Sequence, residues 1–162
     1  LPNQLSHPIS FSDIFPLNTL MKIFISQKVP RGDVELRRLS DLLLATVKLA
    51  GHQPFLATDE IARAGLTDPK DFMPFVREHL TDTDLFIVIY HPELRGGLIE
   101  AGIAYERRIP IWICHKAEEK VSSSMLGCAN LVIEYNDLDD LQEKLQKRVE
   151  NKTSEFSKNS EI

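Results

Sequence analysis

Apolar residues along this chain fall into short dense blocks with two different periods. Residues 21–26, 53–57, 85–90, 109–114 and 131–135 are runs of five or six, rich in Ile, Val and Phe. They are too short for helices and continuous enough for strands covered on both faces. Between them the spacing changes to three and four. Leu36, Leu39, Leu43, Val47 and Ala50 make one apolar stripe, with Asp33 as its cap and Gly51 as its stop. Phe72, Phe75, Val76 and Leu80 make a second over 71–80, a small-residue helix starts near Gly97, and Leu138, Leu141, Leu145 and Val149 make a last one from about Asp137. Residues 58–70 are polar with one Gly and one Pro, which fits a short helix and loop covering a crevice. Strand and helix thus alternate about five times. The fold class expected is α/β: a single-domain open parallel five-stranded sheet with helices on both faces, flavodoxin-like or Rossmann-like. Pro54 places its strand at an edge or at a strand start.

The domain expected spans 21–150. Residues 1–20 precede it as an extension with Pro2, Pro8 and Pro16 and no sustained period, able to dock Ile9, Phe11, Ile14 and Phe15 on the surface. They lack the charged start and long apolar run of a secretory signal. Residues 151–162 read as a polar, frayed tail. The net charge of −5 with dispersed basic residues argues against nucleic acid as a partner. No apolar run approaches a membrane span. The two cysteines, Cys114 and Cys128, and five scattered histidines show no metal-ligand spacing, so neither metal nor cofactor is expected, and the low cysteine count fits a cytoplasmic location.

Residues 84–114 form a βαβ unit around which the chemistry gathers. In open parallel sheets ligands sit beyond the carboxyl ends of the strands, which places residues 91–97 at a binding site. The following helix offers backbone N–H groups to an anion or a sugar hydroxyl. Glu100 is expected in its first turn, facing the crevice. A helix dipole alone accounts for an acid in that position. Gly96-Gly97, followed by Ala101-Gly102-Ile103-Ala104, however, points to close backbone approach. Tyr90 and His91 flank the site, Arg95 precedes the glycines, and Ser26, Lys28 and Arg31 lie at the end of the first strand, where a phosphate or carboxylate can be held. A charged loop is more often just solvated.

The stretch GGLIEAGIAYERRIPIWIC resembles the nucleoside 2-deoxyribosyltransferase superfamily, with Gly96, Glu100, Gly102 and Ala104 matching G-x-x-x-E-x-G-x-A before a strand. Val121-Ser122-Ser123-Ser124-Met125-Leu126-Gly127 is similar to the segment of its nucleotide N-glycosidase branch in which a Ser and a Met enter the neighbouring subunit's site. The resemblance implies a homodimer acting on a small-molecule nucleoside or nucleotide. Glu100 would be the nucleophile, Tyr90 or His91 would orient it or the substrate, and Arg95 with the Gly96 and Gly97 N–H groups would meet a sugar phosphate. Ser123 and Met125 would complete the partner's site. Breaking an N-glycosidic bond builds positive charge at C1′ and O4′, which a carboxylate below the ring stabilises or captures.

Two features depart from the family. Val76 stands near the position of its helical Asp, and Ser26-Gln27-Lys28-Val29 replaces its G-S-x-R-G loop. The general acid therefore stays open, with Asp71 and Glu60 as candidates. The opening strand, the Asp33 helix and the Glu after an apolar strand are also similar to TIR-like domains, some of which cleave NAD through one Glu without a paired acid. A nucleotide-binding module that cleaves nothing is the third reading, with Glu100 holding ribose hydroxyls.

Overall fold

Each apolar block becomes a strand whose alternate residues enter two separate cores. A computed structural model of the chain describes residues 20–159, so the expectations placed on Ile9, Phe11, Ile14 and Phe15 and on the last three residues lie outside the described residues. The elements in order are β1 (Lys22–Ser26), α1 (Val34–Leu49), β2 (Gln53–Leu56), α2 (Ala57–Arg63), α3 (Pro69–His79), β3 (Leu85–Ile89), α4 (Gly96–Glu106), β4 (Ile111–Lys116), α5 (Ser123–Cys128), β5 (Leu131–Tyr135) and α6 (Leu138–Asn159). The sheet order is β2-β1-β3-β4-β5, all parallel, which is the flavodoxin-like arrangement. Pro54 is on β2, an edge strand, as its missing N–H requires.

Ile23, Ile25, Leu85, Ile87, Ile89, Trp112 and Cys114 point to one face, where Leu39, Leu43 and Val47 of α1 meet Leu141, Leu145 and Val149 of α6. Phe24, Phe86, Val88, Ile111 and Ile113 point to the other, under Ala57, Val76, Leu80, Ala101, Ala104 and Met125. Side chains on a strand alternate, so Ser26 shares the second face with Phe24. The register sets Ser26 beside Val88, level with the end of β3. Successive crossovers reverse direction at β1 and β3, and this opens a crevice at their carboxyl ends.

Four boundaries differ from expectation. The fourth strand starts at Ile111 rather than 109, because the Ile109 N–H donates to the Ala104 carbonyl (3.0 Å) and closes α4 instead of joining the ladder. It then takes in His115 and Lys116, expected in a loop, which pair with Glu134 and Tyr135. The third helix begins at Pro69, since Asp68 accepts from Lys70 N (3.0 Å) and Pro at the first helical position loses no hydrogen bond. The last helix continues through the first part of the expected tail, to Asn159.

Candidate active site

Where the chain leaves β1 and β3 it lines a cavity of about 600 Å³, in the range of small-molecule sites. One wall is apolar: Ile61 of α2 with Phe72, Met73 and Val76 of α3. The other carries Lys28, Arg31, Glu93 and Arg95, and the turn into α4 brings Gly96, Gly97 and Glu100 against it. A flat base suits the first wall and an anionic group the second.

Glu100 is the fifth residue of α4, a turn deeper than expected, and the first turn holds no acid. The helix dipole therefore does not explain it. The side chain is only 7% exposed, and burial pushes its carboxyl above the ordinary glutamate range, while a hydrogen bond donated by the Ser26 hydroxyl to Oε2 opposes that shift. Ser26 is itself buried, and its hydroxyl engages Oε2 of the carboxyl, not Oε1. Gly97 makes this contact possible. A Cβ there would stand 2.7 Å from Ser26 Oγ and 2.8 Å from both Cδ atoms of Leu94, whereas at Gly96 it would meet nothing within 4 Å.

Lys28 forms an ion pair with Glu93, and that hydrogen bond holds the Glu93 carboxyl below the ordinary range. The second carboxyl of the cavity is thus ionised and tied. Gln27 is fixed in orientation: Ser40 Oγ donates to Leu36 O (3.0 Å), so it must accept from Gln27 Nε2 (2.5 Å). The Gln27 Oε1 and the Thr58 hydroxyl, both buried, have no hydrogen-bond partner among the described residues.

Of the expected site residues, Ser26, Lys28, Arg95, Gly96, Gly97 and Glu100 come together here. Tyr90 and His91 do not line this cavity. They border a smaller one of about 130 Å³, with Tyr90 packed partly buried on the core and His91 Nδ1 accepting from Glu93 N (3.0 Å) to shape the turn. The hydrogen bond to the Glu100 carboxyl comes from Ser26. Met125 is buried in its own subunit's core rather than presented outward, and Ser123 is exposed on α5 outside the cavity. Asp71 and Glu60 are not in the cavity wall, and Glu60 forms an ion pair with Arg63. Val76 contributes an apolar surface. Glu93, Thr58, Ile61 and Met73 were not named as site residues, although Glu93 lies in the 91–97 loop and Thr58 and Ile61 in the 58–70 segment expected over the crevice; Met73 had no such signal. Among the described residues no group of three or more His, Cys, Asp or Glu side chains is placed to hold a metal ion, and no helix is long and apolar enough to cross a membrane.

No protein-family model matches the sequence, and no curated protein is significantly similar to it. Solved structures do resemble it. The CMP N-glycosidase BcmB of Clostridium botulinum superposes with a TM-score of 0.63 at 16% identity, over 78% of this chain and 98% of that one. A 2-deoxyribosyltransferase from Bacillus psychrosaccharolyticus gives 0.57 at 17%, over 75% and 90%. The chain has a nucleoside 2-deoxyribosyltransferase-like fold. A conserved protein of Enterococcus faecalis V583 is similar to the same extent, with a TM-score of 0.61 at 17% identity over 80% of this chain and 99% of its own. At such identities the likeness concerns the nucleoside 2-deoxyribosyltransferase-like fold, and the chemistry must be argued from the cavity.

Proposed function

We propose that the protein cleaves the N-glycosidic bond of a nucleoside or nucleotide, with Glu100 as the nucleophile. The observation that carries this reading is the buried Glu100 carboxyl, held by Ser26 inside a cavity with one apolar and one cationic wall. The base packs against Ile61, Phe72 and Met73. C1′ lies over Glu100 Oε1, and a sugar phosphate meets Arg95 and the N–H groups of Gly96 and Gly97 at the start of α4. As the bond to the base lengthens, Glu100 stabilises the charge at C1′ or forms a glycosyl ester, which water or a second base then opens. The Ser26 hydroxyl keeps Oε2 hydrogen-bonded through these steps and favours the ionised form the nucleophile needs.

A homodimer is part of this proposal. Leu98, Ile99 and Tyr105 of α4 and Leu126 of the adjoining α5 are exposed, and a second copy covering them would bring Ser123 to an interface. Activity and dimer content should fall together on dilution, and a fully active monomer would refute this.

One observation favours a second reading. Among the described residues, the carboxyls lining the cavity are Glu100 and the ion-paired Glu93, which leaves no neutral acid for a departing base. Nicotinamide leaves NAD without needing a proton, so TIR-like NAD cleavage fits the same geometry.

The test is incubation of the wild type and Glu100→Gln with nucleosides, nucleoside monophosphates and NAD, followed by chromatography for the free base. Nucleobase release that disappears in the variant is expected. Release of nicotinamide alone would select the second reading, and binding without release in any case would show a nucleotide-binding module.

A further inference from the structure

The cavity at Glu100 does not end at its cationic wall. Val29, Arg31 and Thr58 also line a neighbouring groove of about 500 Å³, whose other residues include Asp33, Arg37 and Arg38 of the α1 start and Asp59 of α2. The two spaces adjoin at that shared border, so a path from the carboxylate towards α1 crosses Val29, Arg31 and Thr58.

Across both, five basic side chains, Lys28, Arg31, Arg37, Arg38 and Arg95, face four acidic ones, Asp33, Asp59, Glu93 and Glu100. On a chain of net charge −5 this local excess of cations is selective. The acids are already engaged. Asp59 accepts two hydrogen bonds from Arg37 (3.0 and 3.1 Å), Glu93 holds Lys28, Asp33 caps α1 through Glu35 N and Leu36 N, and Glu100 binds Ser26. No acidic side chain among the described residues pairs with Arg31, Arg38 or Arg95, and these three are distributed along the path.

The position of Arg31 is imposed by the backbone. Asp33 N donates to Pro30 O (2.7 Å) across a tight turn in which Arg31 has φ +42° and Gly32 φ +86°. A non-glycine residue in the left-handed region carries some strain, and Arg31 lines both spaces from this turn. Thr58 lies at the same border, its buried hydroxyl without a hydrogen-bond partner among the described residues.

We propose that the ligand carries a 5′-diphosphate rather than a single phosphate, with Arg95 on the phosphate nearest the sugar, Arg31 and the Thr58 hydroxyl at the bridge, and Arg38 on the outer phosphate. This rests on the glycosidase reading for the placement of the sugar, and it names the substrate class of that site. A free nucleoside diphosphate and a dinucleotide share this chemistry.

The test is calorimetric binding to the Glu100→Gln protein of cytidine, CMP and CDP, of adenosine, AMP, ADP and NAD, and of inorganic phosphate and pyrophosphate. Diphosphates are expected to bind at least about tenfold more tightly than the monophosphate of the same base, as one further charge-assisted contact supplies. Arg38→Ala should lower diphosphate affinity about tenfold and monophosphate affinity less than threefold. Tight ADP or CDP with weak NAD would select a free diphosphate, and the reverse a dinucleotide. Equal affinity for mono- and diphosphates, or an Arg38→Ala effect of the same size on both, would overturn the proposal. Base release by the wild type is read separately: a diphosphate preference without any release would sink the glycosidase reading alone, and release from monophosphates without that preference would sink this inference alone.

Discussion

Replacing Gly97 by alanine tests the packing on which Glu100 depends. The added methyl would lie more than half an ångström inside ordinary contact with Ser26 Oγ and with both methyls of Leu94. Neither neighbour can yield cheaply. Leu94 is buried, and Ser26 Oγ can move only by giving up Glu100. Overpacking of this kind costs about 1–3 kcal/mol. For a chain of this length that corresponds to a midpoint lower by roughly 3–10 °C. Gly96→Ala is the internal control, because it makes the same chemical change one residue earlier in the same helical turn and meets nothing. It should be neutral or stabilising by up to about 1 kcal/mol, from the lower entropy of the unfolded chain. The assay is urea and thermal unfolding of both variants alongside base release. Gly97→Ala should also lose activity, since moving Ser26 removes the hydrogen bond that opposes the upward shift of the Glu100 carboxyl. Unfolding free energies for the two variants within about 0.5 kcal/mol of each other would refute the reasoning.

Glu100→Gln should abolish turnover while raising stability at neutral pH. The folded carboxyl titrates above its ordinary range, so its contribution to stability is fully present below about pH 4.3 and declines as the pH rises through the folded value; the advantage of the variant should therefore grow from pH 4 to pH 8 in urea titrations. For the same reason kcat/KM of the wild type should fall as the medium is acidified through that value. Ser26→Ala should lower kcat/KM at neutral pH roughly ten- to hundredfold, as expected for a lost bond to a charged group of about 1.5–3 kcal/mol, and shift the acid limb of the pH profile upward. Met125→Ala should destabilise the fold by about 2–5 kcal/mol in chemical unfolding, whereas Ser123→Ala should leave it unchanged, because only Met125 is buried.

The sequence by itself determined the parallel sheet, its order of elements and the place where chemistry gathers. Continuous apolar runs of five and six residues read as buried strands, the Asp33 cap and Gly51 stop bound α1, and Pro54 marks β2 as an edge or a strand start, of which the sheet order shows the edge. Gly-Gly ahead of a glutamate after β3 singled out Glu100, which the structure places in the cavity. What the tertiary structure decided is which side chains face it. Ser26 meets Glu100 across 74 positions because strand alternation and the β1–β3 register put both on one face, a relation no local spacing encodes. Tyr90 and His91, adjacent to the loop in sequence, border a different cavity, and Met125 turns into its own core. The apolar wall comes from α2 and α3, whose Ile61, Phe72 and Met73 have the spacing of ordinary core residues. Only the crossover that places those helices beyond the carboxyl end of β1 turns them towards the carboxylate.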